Sequence, residues 1–373
     1  MKKKLFFFFI LPFLMISFPF LIASFTNLYP EEDYNISPNE LRKKALSNNL
    51  LPNPKNFDEL LKLVDSKENP ITKDKIALGE KLFFDPILSK DYSINCAKCH
   101  ILEDGGDDNL PTAIGIKNQK NPHHLNSPTV LNAALQKFQF WDARAKSVEE
   151  QALGPLTAPF EMGMSKNEIV KRLNNSPFYK NEFKKVFKKD KIELDMVLKA
   201  IGAFERTLIT RSRYDEFLEG NLTALTKEEQ KGLNLFIELG CKGCHTGRTI
   251  GGQTIQKFPV RNYKSFIYPV SEFRNGKRVF KQLMIDLNIS KSPYPFEDIG
   301  HFYGKNSGFK FKVPMLRNIT KTSPYFHYGL VKDLKDAIKI MGKHQLGIML
   351  TDKQIDYIYS FLKSLEGKRV KFF

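Results

Sequence analysis

With 373 residues, 42% of them hydrophobic and 27% charged, the chain has room for two ordinary domains, and no low-complexity tract marks it as disordered. Its formal net charge is +17, or +14 once Lys2, Lys3 and Lys4 are set aside as part of a leader. That surplus fits attraction to an acidic redox partner or an anionic membrane surface as well as it fits plain solvated lysines. No basic–aromatic pattern accompanies it, which excludes nucleic acid as a partner.

The chain opens with three lysines and an uncharged, mostly apolar run from Leu5 to about Phe25, the layout of an export signal. The run is long for a signal and near membrane-spanning length, but Pro12 and Pro19 interrupt it. Residues 1–25 are therefore read as a signal peptide or an N-terminal membrane anchor, with Ile22-Ala23-Ser24 a weak cleavage site. No cysteine follows the run, which excludes a bacterial lipoprotein anchor. Either way the body is exported. Residues 26–70 read as an N-terminal extension.

All four cysteines lie in two copies of one motif, Cys96-x-x-Cys99-His100 and Cys241-x-x-Cys244-His245. This pattern attaches a c-type haem: two thiols bond the porphyrin and the following imidazole takes one axial position on the iron. A zinc site built from four thiols would not require a histidine after both pairs. Covalent haem is assembled outside the cytoplasm, in agreement with the leader, and no cysteine is left for a disulfide.

A repeat surrounds the motifs. Thr72 begins a helical stretch carrying Gly79-Glu-Lys-Leu82-Phe83, and Thr226 begins one carrying Gly232-Leu-Asn-Leu235-Phe236. Each threonine is an N-cap, Glu229 completes a capping box, and the small-then-bulky spacing suits helices that cross closely. A further amphipathic helix follows each motif, over 195–210 and 351–365. Residues 105–128, 153–163 and 247–308, rich in Pro and Gly, carry little regular signal. The reading is mainly α: two cytochrome-c-like haem domains in tandem, 71–212 and 213–367.

From about Lys75 to Gly367 the sequence resembles the bacterial di-haem cytochrome c peroxidase family, whose relatives include the methylamine-utilisation di-haem oxidases. The blocks FFDPILS (83–89), NSPTVLNAA (126–134), QFWDARA (139–145), EMGM (161–164) and KVPMLRNITKTSPYFHYG (312–329) carry that resemblance together with both haem motifs. It implies an enzyme with two covalently bound haem c groups that reduces hydrogen peroxide to water. The electrons come from a small cytochrome or a cupredoxin, and the enzyme works in the periplasm, released or tethered to the inner membrane. A homodimer is the common family state.

The resemblance also implies site residues. His100 ligates the first iron, where peroxide is reduced, and Glu161 handles protons there. His245 and Met341 ligate the second iron, where electrons arrive, and methionine at 341 favours the peroxidase branch over the oxidases, which carry tyrosine. Trp141, the sole tryptophan, couples the two haems. Arg144 pairs with a propionate, since guanidinium binds carboxylate bidentately. Asn126, through its amide oxygen, and the carbonyls of Thr322 and Pro324 form a calcium site, a set of oxygens suited to that ion.

The sequence departs from the family in two places. Where many members hold a histidine that closes the first iron in the resting state, this chain has Ile116, which cannot ligate. His123 and His124 follow in a longer loop, and a histidine pair among Lys and Asn is more often solvated than ligating. The first haem is thus expected to be open, five-coordinate or water-bound, without prior reduction. The stretch between His245 and His327 is also longer than the family requires; a partner surface and a solvated insertion both fit it. His301 and His344 read as structural, and His327 as a hydrogen-bonding group near a haem. Two other functions stay in view, a di-haem oxidase acting on a protein or organic substrate, and a non-catalytic di-haem carrier.

Overall fold

The computed structural model describes residues 36–260, 267–274, 277–284 and 298–373, with backbone only for the strands between 267 and 284. The leader expected over 1–25 lies outside the described residues, and among those described no helix is long and apolar enough to cross a membrane. The helices run in the order α1 (Pro38–Ser47), α2 (Phe57–Val64), α3 (Lys73–Phe84), α4 (Val148–Thr157), α5 (Lys166–Asn175), α6 (Pro177–Phe187), α7 (Leu194–Glu205), α8 (Arg213–Glu219), α9 (Lys227–Glu238), α10 (Leu334–Ile340) and α11 (Asp352–Ser364). Three antiparallel strand pairs tie loops together: β1 (Thr210–Arg211) with β6 (Lys368–Arg369), β2 (Ile255–Lys257) with β5 (Lys310–Lys312), and β3 (Ile267–Arg274) with β4 (Lys277–Met284).

The repeated glycines explain the architecture. A Cβ on Gly79 of α3 would stand 1.9 Å from the Ala200 carbonyl oxygen of α7, and one on Gly232 of α9 would stand 1.9 Å from the Tyr357 oxygen of α11. Only glycine permits these two crossings. The bulky partners of the repeat are buried beside them, Leu82 and Phe83 in one unit and Leu235 and Phe236 in the other. Thr72 and Thr226 cap α3 and α9 as the sequence predicts, the second with its full capping box.

The N-terminal extension is built into both cores. Leu41 and Ala45 of α1 are fully buried in the cluster formed by α9 and α11, while Leu60 of α2 packs with Phe83 and Phe204 of α3 and α7. Arg317 and Asp215, both wholly buried, lock these parts together fork to fork, with NH1 to Oδ2 at 2.9 Å and NH2 to Oδ1 at 2.8 Å. Asp215 also accepts the backbone N–H of Asn53, at 2.7 Å.

Two stretches expected to be irregular are regular in part. Pro155 lies inside α4, in its last turn, where it leaves the Gln151 carbonyl without its helical N–H donor. Within the long stretch after His245, residues 267–274 and 277–284 pair antiparallel as β3 and β4, with Ile267 opposite Met284 and Arg274 opposite Lys277.

Candidate haem centres

Both cysteine motifs fold into the same tight turn. The N–H of His100 reaches the Cys96 carbonyl at 3.1 Å and that of His245 reaches the Cys241 carbonyl at 3.0 Å, which gathers two thiols and an imidazole on one rim. Each ring nitrogen Nδ1 sits by a backbone carbonyl, His100 by Gly106 at 3.1 Å and His245 by Ile250 at 3.3 Å. A carbonyl only accepts, so Nδ1 carries the proton and Nε2 keeps its lone pair for a metal. Burial lowers the pKa of both rings, that of His245 to about 4, which keeps them in the neutral, ligating form. The thiols are free of disulfides, and burial raises that of Cys99 to about 12.

Each motif lines its own cleft. Cys96, Cys99 and His100 line the first, and Cys241, Cys244 and His245 line the second. The two cysteine pairs do not meet, and among the described residues no group of three or more His, Cys, Asp or Glu side chains could hold a metal ion. The residues present therefore fit two haem c groups and not a four-thiol zinc site.

Glu161 lines the first cleft in the turn after α4. Its backbone N–H donates to Ala158 at 3.0 Å and its carbonyl accepts the N–H of Ile116 at 2.9 Å, which fixes the turn against the loop from 112 to 126. Gly115 makes that docking tight, since a Cβ there would lie 2.1 Å from the Phe160 oxygen. Burial pushes the Glu161 carboxyl above its ordinary pKa and the positive charge of Arg144 pulls it partly back. Arg144 also lines this cleft; its guanidinium lies over the Phe140 ring at 3.4 Å and donates to Asp142 at 2.9 Å.

Ile116 is buried behind the Glu161 turn against Gly163 and is absent from the described lining of the first cleft. His123 does line it, with Nδ1 by the Gly300 oxygen at 2.9 Å and its ring centroid 6.2 Å from that of Phe302. His124 is exposed and takes no part in either lining.

Met341 lines the second cleft together with His245, at the point where α10 passes into a π-helical turn, Met341–Leu346. Such turns widen a helix and recur at functional sites. Met315 lines the same cleft, a second thioether that the sequence reading did not weigh. His327 is buried there, stacked on Phe311 with centroids 4.4 Å apart, and burial lowers its pKa to about 4. His301 is exposed beside Asp298, and His344 is buried in the π-helical turn.

Trp141 lines both clefts. Its indole N–H donates to the Asn126 carbonyl at 2.9 Å, and its own carbonyl accepts the N–H of Lys312 at 2.8 Å. Asn126, Thr322 and Pro324 come together on the second cleft. The Asn126 amide nitrogen donates to the Pro324 carbonyl, while Asn126 Oδ1 is buried without a hydrogen-bond partner. Asp107, also on this lining and missed from sequence, has a buried, unpartnered Oδ1, and burial with the nearby Asp108 raises its pKa to about 7.

Comparison with known proteins agrees with this geometry. The family model described as di-haem cytochrome c peroxidase matches residues 73–223. The cytochrome c551 peroxidase of Nitrosomonas europaea is 39% identical over 304 residues, covering 81% of this chain and 83% of that one. Its counterpart in Pseudomonas aeruginosa is 37% identical over 313 residues, with coverages of 82% and 83%. Among solved structures, a MauG-like protein associated with microbial copper homeostasis superposes with a TM-score of 0.62 at 27% identity, over 81% of this chain and 91% of that one. The fold is mainly α, two cytochrome-c-like haem domains in tandem, and the chain belongs to the di-haem cytochrome c peroxidase family.

Proposed function

We propose that this protein is an exported peroxidase that reduces hydrogen peroxide with electrons from a small cytochrome or cupredoxin, through haem domains spanning 71–212 and 213–367. The observation that carries the reading is that Glu161 shares a cleft with Cys96, Cys99 and His100, while Trp141 stands in the wall common to that cleft and the one lined by His245 and Met341. Bound haem would supply a redox-active iron at each site, open to peroxide at the first and ligated by sulfur at the second, where a thioether favours the reduced state.

The side chains do the rest. Gly106 and Ile250 orient His100 and His245 so that each would hold its iron through Nε2. Glu161 takes a proton from one peroxide oxygen and returns it to the other; with two electrons and two further protons, one peroxide gives two waters. Burial keeps its carboxyl willing to hold a proton, and Arg144 keeps it willing to release one. Trp141, pinned at both its indole and its carbonyl, keeps a fixed path between the clefts. The test is steady-state peroxide turnover with a reduced cytochrome. Glu161→Gln should lose about 10²–10⁴-fold in kcat with both haems still attached, and an unchanged rate would remove Glu161 from the mechanism. A non-catalytic carrier would show no turnover in the wild type.

The first iron is read as open in the oxidised protein, because Ile116 is buried against Gly163 and stands outside the cleft lining. Ferric EPR should show one high-spin haem, unchanged by His123→Ala. A low-spin first haem that this substitution makes high-spin would instead name His123 as its ligand. Isoleucine at 116 in place of the loop histidine also favours a second reading, peroxide-driven oxidation of a protein or organic substrate, against which Met341 counts. Calcium at Asn126, Thr322 and Pro324 is supported by the unpartnered Asn126 Oδ1 beside the Pro324 carbonyl.

A further inference from the structure

Lys312 ends β5 and is 4% exposed. Lysine is almost never buried so fully unless its charge is paired. Here the ammonium donates to Gln136 Oε1 at 2.9 Å, a neutral acceptor, and no ion pair reaches it among the described residues. Burial alone acts on it, lowering its pKa to about 8, so the group is still mostly charged at neutral pH. Gln136 is itself buried, with Gly252 packed closely against its side chain.

The place of this charge gives it meaning. Lys312 lines both clefts, on the wall they share through Asn126, Ser127, Pro128, Thr129 and Trp141. A buried cation without a protein counter-ion is costly, and the fold retains it between two sites that each fit a haem. Every haem c brings two propionate carboxylates. Arg144, the propionate partner expected from sequence, lines the first cleft alone.

We propose that Lys312 is a positioning residue between the two centres, its ammonium serving as counter-ion to propionate carboxylates from the groups bound in the two clefts and raising the electron affinity of both. The inference rests on the two-haem reading above. A positive charge in a low-dielectric wall favours whichever oxidation state carries one more electron, and its influence extends to both sides of the wall. Through its backbone N–H bond to the Trp141 carbonyl, the same residue fixes the main chain that carries the indole.

The test compares wild type, Lys312→Met and Lys312→Arg as purified proteins with both haems attached, by redox titration followed in the visible spectrum. Methionine keeps the aliphatic stem and removes the charge, and it relieves the burial penalty, so the fold is retained. Both midpoint potentials should fall in Lys312→Met and return toward wild type in Lys312→Arg; a role in packing alone would not follow the charge. Wild-type potentials in Lys312→Met, or equal shifts in both variants, would overturn the inference. Wild-type peroxide turnover, measured alongside, reports on the proposed function separately.

Discussion

At the residue scale, Glu205 shows what the first cleft imposes on the chain that forms it. The side chain is 6% exposed at the end of α7 and lines the cleft, and burial, helped by the neighbouring charge of Glu149, raises its pKa from 4.5 to about 8. A carboxyl that holds its proton more tightly when folded destabilises the fold as pH rises. The penalty is absent below the unfolded value near 4.5, grows through the window up to about 8, and is complete above it. Glu205→Gln carries no charge to bury. It should match wild type near pH 4 and melt at a higher temperature at pH 8 and above; a gain independent of pH would show that the carboxyl is not the cause. Such residues also mark the limit of sequence reading. The thiols and axial histidines were legible because one contiguous turn makes each rim. Lys312, Asp107 and Met315 were not, because a lysine, an aspartate and a methionine look ordinary until β5 and the loops fold back and bury them.

At the scale of elements, the two close crossings carry the architecture, and they were readable because the same small-then-bulky spacing precedes both haem motifs. Gly79→Ala and Gly232→Ala each place a methyl about where a backbone carbonyl already sits, at 1.9 Å in both cases. Alanine gains roughly 1 kcal/mol of helix propensity over glycine. Here the helices must part to admit it, and overpacking of this kind costs about 1–3 kcal/mol and at times more. Both variants should be destabilised on balance, and urea titration of each should show an earlier midpoint. A midpoint equal to or later than wild type would mean the helices separate freely. What misled the reading elsewhere was composition: proline at 155 and the run of loop residues after His245 suggested irregular chain. In fact α4 accommodates a proline in its last turn, and 267–274 pairs with 277–284 in a register that depends on strand-to-strand contact.

At the scale of the whole molecule, Asn126 joins everything that the proposed function needs to keep aligned. Its N–H donates to the His327 carbonyl at 2.9 Å on the second cleft, and its carbonyl accepts the Trp141 indole in the shared wall. Its amide nitrogen meets the Pro324 carbonyl, while its buried Oδ1 and that of Asp107 have no partner. Turning the amide over would set two oxygens side by side, an arrangement that repels unless a cation lies between them. Oxygen-only donors of this kind suit calcium, and a carboxylate nearby adds charge to the site. A cation bound there would stabilise the folded protein in proportion to its occupancy, by about 2.7 kcal/mol at a hundred times the dissociation constant. It would also stiffen the wall that holds Trp141. Chelation should therefore lower the melting temperature and slow peroxide turnover together, and added calcium should restore both. Asn126→Ala should melt at the same temperature with chelator and with calcium, because it lacks the oxygen that closes the site. A wild-type melting temperature that ignores calcium would mean that the two orphan oxygens are satisfied in another way, and that the alignment of the clefts rests on the protein's own hydrogen bonds.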